Sequence, residues 1–289
     1  MKKLLLILFI SIICVSTTGC LNLKSDSMED ITIYTTVYPT EYITSRLYGD
    51  NSKIHSIYPD GVIPSKYELT SKQIKDYSKA DLFIFNGLAD EKNYVSKFFK
   101  HNRDIMIIDS TSSMEIDYRT EELWLNPSNL LMIAQNIKNG LNEYITNKYL
   151  KDSIESNYNE LKLELSNLDA DLSVVANNAS DKNIIVTDDL FSFLSKYGFN
   201  VISLDSDTAT EKTIATASKL IKDGTVKTVF APSEEELNEA VKKIIESNKI
   251  EVTYLHTLSN ITTDERKNKE DFLSIMKKNI ELIKKELYK

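Results

Sequence analysis

The sequence predicts an α/β protein with two lobes joined by one long helix. Three observations support this prediction: two sets of four short apolar segments rich in β-branched and aromatic residues, helix-period segments between several of them, and one long amphipathic stripe between the two sets. Short apolar strands that alternate with helices are typical of α/β domains. We therefore expect one α/β domain on either side of the long helix.

The two sets of strands occupy separate parts of the chain. Strands of the first set are predicted at residues 31–34, 53–58, 81–85 and 104–108. Strands of the second set are predicted at 183–186, 200–204, 227–230 and 251–255, with helices at 211–222 and 234–247 between them. We assign residues 31–148 to an N-terminal lobe, 149–178 to the linking helix and 179–289 to a C-terminal lobe.

The linking helix is predicted from apolar residues that recur every three or four positions. This spacing places them on one face of an α-helix, while Glu, Lys, Asp and Asn residues occupy the other faces. The stripe consists of Leu150, Ile154, Tyr158, Leu161, Leu165, Leu168, Leu172 and Val175. A shorter helix is expected before it, with Asn126 as N-cap and Pro127 at the first helical position. A last helix is predicted over residues 271–288.

The first thirty residues predict export and lipidation. Lys2 and Lys3 form a positive n-region, and residues 4–15 form an apolar run that is shorter than the roughly 20 residues needed to span a bilayer. Small residues then lead to Cys20, a pattern that resembles the lipobox of bacterial lipoproteins. We expect a signal peptide over 1–19, lipid on Cys20, a flexible tether over 20–30, and an extracytoplasmic protein anchored to the cell membrane. A conventional secretory peptide with an incidental cysteine is the alternative.

The composition argues against several classes of function. The two cysteines are Cys14, within the signal peptide, and Cys20, so no thiol remains for a disulfide or a thiolate metal site. Loss of Lys2 and Lys3 takes the formal charge from −8 to −10, which argues against a nucleic-acid partner and favours cations. We predict no enzymatic activity, because the sequence has no nucleophile and base at a recognisable spacing and no phosphate-binding glycine-rich loop.

A turn-rich segment over residues 59–68 reads Pro-Asp-Gly-Val-Ile-Pro-Ser-Lys-Tyr-Glu. Shorter motifs follow it along the chain: Ala-Asp-Leu at 80–82, Asn-Gly at 86–87, Glu91, Leu-Trp-Leu-Asn-Pro at 123–127, Tyr-Gly at 197–198 and Val-Phe at 229–230. In order and spacing, these motifs resemble the metal-receptor lipoproteins of zinc and manganese ABC importers, whose first motif is Pro-x-Gly-x-x-Pro-His-x-Tyr-Glu. The resemblance covers residues 31–288.

This resemblance implies a metal ion in a cleft between the two lobes, held by three histidines and a carboxylate, and an ABC permease in the membrane as partner. The positions that align with the four ligands are Ser65, Glu122, Thr187 and His256, and Asp188 is an additional candidate. None of the four keeps the usual ligand. Hydroxyls or a carboxylate replace the histidines, and a histidine replaces the carboxylate.

Two interpretations of this altered cleft stay open. In the first, an oxygen-rich set that includes Asp188 holds a divalent metal, and it suits Mn²⁺, Mg²⁺ or Ca²⁺ better than Zn²⁺. In the second, the cleft has lost metal, and the same side chains bind a small polar ligand or one another. We therefore expect an extracytoplasmic solute-binding lipoprotein of an ABC importer. The alternative is a surface interaction or adhesion protein on the same scaffold that no longer binds metal.

Each candidate side chain also has a purely structural interpretation. His256 is then a strand-end residue in contact with solvent, and Glu122 belongs to a solvated acidic turn before a helix. Asp188 is the N-cap of the following helix. Ser65 fills a hole, and Trp124 packs in the core beside the cleft.

Overall fold

A computed structural model gives the structure of the protein and describes residues 28–117, 119, 121–233 and 237–288. The predicted signal peptide, Cys20 and most of the predicted tether lie outside the described residues. Within the described part of the chain, no helix combines the length and the apolar character needed to cross a membrane.

The first sheet consists of four parallel strands in the order β2-β1-β3-β4. They are β1 (Ile31–Thr35), β2 (Ser52–Ser56), β3 (Leu82–Phe85) and β4 (Met106–Asp109). Strand β3 is buried at every position, as expected for an inner strand of a parallel sheet covered on both faces. The helices of this half are α1 (Tyr38–Tyr48), α2 (Ser71–Tyr77), α3 (Lys92–Phe99), α4 (Glu122–Leu125) and α5 (Pro127–Tyr144).

The second sheet repeats this arrangement with four parallel strands in the order β6-β5-β7-β8. They are β5 (Asn183–Val186), β6 (Asn200–Ser203), β7 (Thr228–Pro232) and β8 (Glu251–Leu255). A 3₁₀ segment at Asp189–Tyr197 follows β5, and the helices are α7 (Glu211–Lys222), α8 (Glu239–Asn248), α9 (Thr263–Lys267) and α10 (Phe272–Leu287). The predicted α/β class with two sheets is confirmed.

The strand order places a binding crevice in each sheet. In both sheets the chain moves to one side of the first strand and then crosses to its other side, so the order reverses between β1 and β3 and between β5 and β7. Connections leave such a switch point in opposite directions and open a crevice beyond the carboxyl ends of the strands. A ligand site is therefore expected at one of these two edges.

Helix α6 (Lys148–Asn178) connects the two sheets over 31 residues, about 46 Å at the α-helical rise. It packs against α1 and α5 of the first half and against α10 of the second. All eight residues of the predicted stripe are buried, which confirms the amphipathic helix. A continuous apolar core joins both sheets through this helix, for example through Ile33, Leu161 and Ile184. A smaller core lies between the second sheet and its helices and includes Ile202, Ala217 and Val241.

Several predicted boundaries are wrong, including the strands predicted at 104–108 and 227–230, which lie at Met106–Asp109 and Thr228–Pro232, and two further differences have local causes. Helix α8 begins at Glu239 rather than at Glu234, because the Asn238 side chain caps it by accepting a hydrogen bond from the Val241 N–H at 2.9 Å. The acidic residues 234–236 themselves lie outside the described residues. Strand β2 ends at Ser56 instead of residue 58, since the Ser56 hydroxyl accepts the Tyr58 N–H at 3.0 Å and turns the chain out of the ladder.

Gly140 of α5 packs directly against Ile108 of the first sheet. A Cβ atom added there would lie 2.7 Å from Cγ1 of the buried Ile108. We expect Gly140→Ala to lower the free energy of unfolding by up to about 2 kcal/mol, because overpacking costs about 1 to 3 kcal/mol and the gain in helix propensity offsets about 1 kcal/mol of it. Urea unfolding measures this difference. Gly49→Ala is the control, since an added Cβ there meets only Ser45 at 3.8 Å; equal losses in both variants would contradict the packing explanation.

Candidate ligand-binding cleft

A cavity of about 580 Å³ lies at the carboxyl edge of the first sheet. The connections after β1, β2 and β3 supply one wall, which includes Val37, Tyr58 and Glu91. Trp124 of α4 and the segment after β8, with Thr257 and Ser259, supply the opposite wall. The volume is in the range of small-molecule sites. Both halves of the molecule therefore contribute to one open cavity at the switch point of the first sheet.

Hydrogen bonds between two loops hold these walls together. The Asn260 amide, which is buried, donates to the carbonyls of Pro59 at 2.7 Å and Val62 at 2.8 Å. The Gly61 N–H donates to the Ile261 carbonyl at 2.9 Å. Gly61 has a φ of 78°, a left-handed conformation that glycine adopts without strain. The first sequence motif thus fastens the first half of the molecule to the segment after β8.

Further contacts reinforce this junction. The Arg266 guanidinium of α9 bonds to Glu41 at 2.7 Å and to Asp60 at 2.8 Å. The Trp124 indole N–H donates to the Thr257 carbonyl at 2.7 Å, and the ring is 2% exposed. The prediction that Trp124 packs in the core beside the cleft is confirmed.

A second ionic contact crosses between the halves at Asp188. One of its carboxylate oxygens accepts a hydrogen bond from the Arg119 guanidinium, which also contacts Glu121 at 3.1 Å. The other oxygen accepts the Leu190 N–H at 2.9 Å, so Asp188 caps the 3₁₀ segment, as its structural interpretation predicted. This carboxylate therefore already interacts with a cation that the protein itself supplies.

The remaining predicted site residues occupy different surroundings. Ser65 is exposed and lines the large cavity, whereas Thr187 and Asp188 line a second cavity of about 120 Å³ at the carboxyl edge of the second sheet. Glu122 is buried, and its carboxylate accepts the Asp117 N–H, so the interpretation as a solvated acidic turn is wrong. At the end of β8, the partly exposed His256 accepts the Leu258 N–H on Nδ1 at 2.9 Å, and its Nε2 lies 3.4 Å from Glu265.

These positions do not form a metal site of the usual kind. Among the residues that the structure describes, no group of three or more His, Cys, Asp or Glu side chains could hold a metal ion. Glu122 and His256 line neither of the two cavities, and Ser65 lines a different one from Thr187. Zn²⁺ and Mn²⁺ require several converging donors, so the donor set does not fit them. Contact of these five residues with any ligand stays a prediction.

Glu91, which belongs to a family motif but is not among the predicted site residues, is the most unusual side chain in the cavity. It is 6% exposed, and its Oε2 has no hydrogen-bond partner among the described residues. Burial, with help from the charges of Asp90 and Glu121, raises the pKa of its carboxyl to about 7, although a hydrogen bond from Tyr58 acts in the opposite direction. A carboxyl perturbed in this way within a cleft is typical of a functional site. An acidic residue just before a helix is common, so no local sequence pattern indicates that Glu91 is buried.

Two α/β lobes joined by a helix, with a small-molecule cavity walled by both, define the class of two-lobed solute-binding proteins. The model of the family described as "ZnuA: Zinc-uptake complex component A periplasmic" matches residues 33–286 of the chain. The chain belongs to this family.

Individual relatives are distant but extend over nearly the whole chain. The zinc-binding protein AdcA of Streptococcus pyogenes is 23% identical over 289 residues, with 88% of this chain and 55% of the relative covered. The chain thus spans about half the length of that relative. The manganese ABC transporter substrate-binding lipoprotein PsaA of Streptococcus anginosus is 26% identical over 315 residues, with both chains covered completely.

Solved structures share the fold. The Zn(II)-bound ZnuA-like domain of Streptococcus pneumoniae AdcA matches with a TM-score of 0.71 and 22% identity, over 90% of this chain and 100% of that one. The laminin-binding protein Lbp of Streptococcus pyogenes matches with a TM-score of 0.71 and 18% identity, over 90% of this chain and 99% of that one. The two-lobe architecture with a long connecting helix is therefore shared across these proteins.

Asn260 should be a main determinant of the loop junction. We expect Asn260→Ala to lower the free energy of unfolding by about 2 to 4 kcal/mol, because two carbonyls would lose a buried donor. Chemical denaturation of the full chain in detergent measures the change. Asn139→Ala on the exposed face of α5, where the side chain bonds only Gln135, is the matched control and should change stability little. A small effect at Asn260 would show that the other contacts suffice.

Glu91 should make stability depend on pH. Its folded pKa of about 7 lies above its ordinary value of 4.5, so the folded state binds more protons than the unfolded state between these pH values. Stability of the wild type should therefore fall, relative to Glu91→Gln, as pH rises from 4.5 to 7. The relative loss should total about 3 kcal/mol. Denaturant titrations at several pH values test this expectation. The exposed Glu143→Gln should track the wild type, and a Glu91→Gln difference that is constant with pH would refute the assignment.

Proposed function

We propose that the chain is an extracytoplasmic substrate-binding lipoprotein of an ABC importer, anchored through Cys20, which receives a solute in the cleft and delivers it to a membrane permease. The carrying observation is the cavity of about 580 Å³ walled by both halves of the molecule, in a chain whose residues 33–286 match the zinc-uptake component A family. The lipoprotein names of PsaA and of the metal ABC transporter relative from Lactococcus lactis support the anchor. A receptor captures and releases its solute and needs no catalytic group.

The relatives named for zinc and manganese give only weak support for binding of these metals in the cleft of this protein. Family membership supports a cation as cargo, but no three donors converge among the described residues, and Asp188 already interacts with Arg119. We infer that Zn²⁺ and Mn²⁺ bind far more weakly here than to a receptor with three imidazole ligands.

One observation favours a second candidate function. A chain without a metal-holding group in its described part is also compatible with a surface interaction or adhesion protein that uses the two-lobed scaffold and no cargo. In that case the outer surfaces, rather than the cleft, contact the partner.

Chemical cross-linking on intact cells that produce the full chain distinguishes the two candidates. We expect mass spectrometry of the cross-linked products to recover the transmembrane permease of an ABC importer, because the lipid anchor keeps a receptor beside its transporter. The Cys20→Ser variant, which cannot be lipidated, should lose this product. Recovery of non-transport surface proteins without a permease would overturn the importer assignment in favour of the second candidate.

A further inference from the structure

We propose that the outer surfaces of α2 and α3 dock on an anionic membrane surface and hold the mouth of the large cavity beside the bilayer. Six exposed lysines define this surface, which we call the lysine face. They are Lys72, Lys75, Lys79, Lys92, Lys97 and Lys100. The inference goes beyond a lipid anchor because it gives the anchored protein an orientation. It rests on the proposed function, since the proposed anchor brings the lysine face to a membrane.

Helices α2 and α3 cover the side of the first sheet that is remote from the linking helix α6. Tyr77 of α2 stacks on Tyr34 of β1 with ring centroids 4.4 Å apart. Phe98 of α3 packs on Phe83 of β3 with ring centroids 4.7 Å apart. Tyr34 and Phe83 are register partners, so both helices lie on the same side of the sheet. Ile108 of β4 pairs one position further along and points to the opposite side, where it contacts α5, which packs on α6.

The charge of these two helical segments is opposite in sign to that of the rest of the chain. Residues 71–79 and 92–100 contain six lysines and one acidic residue, Asp76, and carry a net charge of +5. The whole chain carries −8, so its remaining residues carry −13. Lys79 forms a salt bridge with Asp76 at 2.7 Å, whereas the other five lysines form no salt bridge with any described carboxylate. Most of the positive charge on the lysine face is therefore available to a partner outside the protein.

The lysines form one continuous surface with an exposed aromatic ring. The three lysines of the α2 segment follow one another at intervals of three and four residues, which places them on one side of the helix. On α3, Tyr94 and Phe98 are buried against the protein, so its exposed lysines lie on the outer side. The two helices contact each other. Phe99 is 38% exposed among these lysines, and an apolar ring within a basic surface is typical of segments that lie at the headgroup boundary of a membrane.

An anionic membrane is the partner that this distribution of charge fits. A chain of strongly negative net charge is repelled by an anionic surface unless its cationic side faces that surface. Each lysine close to such a surface favours association by about a factor of five. The proposed anchor at Cys20 keeps the folded chain within the length of a short tether, so the bilayer is the anionic surface at the highest local concentration.

The lysine face also borders the cleft. Lys92 and Lys97 line the large cavity at the carboxyl edge of the first sheet. Docking of the lysine face therefore brings this edge to the bilayer, where a permease receives the solute. None of the six lysines belongs to the sequence motifs that resemble the metal-receptor family. The proposal thus concerns the orientation of the receptor and is independent of the chemistry of its cargo.

Quenching of tryptophan fluorescence by brominated lipids tests the proposal in the full chain, reconstituted from dodecyl maltoside into vesicles through its own N-terminal segment. Flotation of the vesicles confirms that the chain is bound. Phe99→Trp places an indole on the lysine face, while the native Trp124 is 2% exposed and out of reach of lipid. Brominated phosphatidylcholine mixed with phosphatidylglycerol should quench the new indole, and brominated phosphatidylcholine alone should not. About 1 M NaCl, which shortens the screening length to about 3 Å, should abolish the quenching.

Two sets of substitutions in this reporter chain separate the lysine face from the net charge of the protein. The first set combines Lys72→Gln, Lys75→Gln, Lys97→Gln and Lys100→Gln. It should reduce the quenching to the level seen without phosphatidylglycerol. The control set makes the same change in net charge at four exposed lysines of the second half and should leave the quenching unchanged. It combines Lys212→Gln, Lys219→Gln, Lys222→Gln and Lys227→Gln. The melting temperature of each variant confirms that it is folded.

The failure of this inference differs from a failure of the proposed function. Quenching that is absent, that does not require phosphatidylglycerol, or that falls equally with both sets of substitutions would overturn membrane docking and leave the receptor assignment intact. Absent quenching together with cross-links from the lysine face to an acidic protein on intact cells would assign the face to that protein instead. Failure of the chain to float with either kind of vesicle would overturn both the anchor and the docking. Absence of a permease among the cross-linked products would overturn the importer assignment whatever the lysine face contacts.

Discussion

The cleft depends on the hydrogen bonds that join the turn at residues 59–62 to the segment after β8. Each sheet alone offers only a shallow crevice at its carboxyl edge. Asn260 bonds two carbonyls of the turn, and the Gly61 N–H returns a bond to Ile261, so the loops of the two halves are held in one register. Because Thr257 and Ser259 lie just before Asn260, the same bonds bring them against the first sheet, where they complete the wall opposite Tyr58.

At the contacts between the two halves of the molecule, arginine side chains of the protein supply the positive charge that pairs with carboxylates. Arg266 pairs with Glu41 and Asp60, and Arg119 pairs with Glu121 and Asp188. An arginine keeps its charge at every accessible pH and fits carboxylates bidentately, so such pairs fix orientation even where partial exposure makes each of them energetically modest. In a metal receptor the cation that neutralises the cleft carboxylates arrives as cargo. At Asp188 in this protein, an internal guanidinium fills that electrostatic role.

Local sequence patterns predicted the helices and strands. They did not predict which acidic side chains are buried by tertiary packing. The segments 183–186 and 251–255 and the helix at 211–222 were predicted to the residue, because a short apolar run or a capped amphipathic run carries its own boundaries. The helix start predicted at Glu234 is wrong because both Ser233 and Asn238 are residue types that can cap a helix. The folded chain uses Asn238. Glu91 and Glu122 look like ordinary acidic residues at helix starts. Their burial arises from loops distant in sequence, which no local pattern encodes.

The aligned positions illustrate how a family scaffold keeps its architecture while its donor side chains differ from the usual set. Alignment identifies where metal donors would stand, but coordination requires several of them to converge, and loss of the histidines removes that convergence. Glu91, at the start of α3, lines the same cavity as Ser65, and burial rather than any of the aligned side chains raises the pKa of its carboxyl. The architecture does not depend on the family's usual ligand set, because the apolar core along α6 and the hydrogen bonds of Asn260 join the two halves of the molecule.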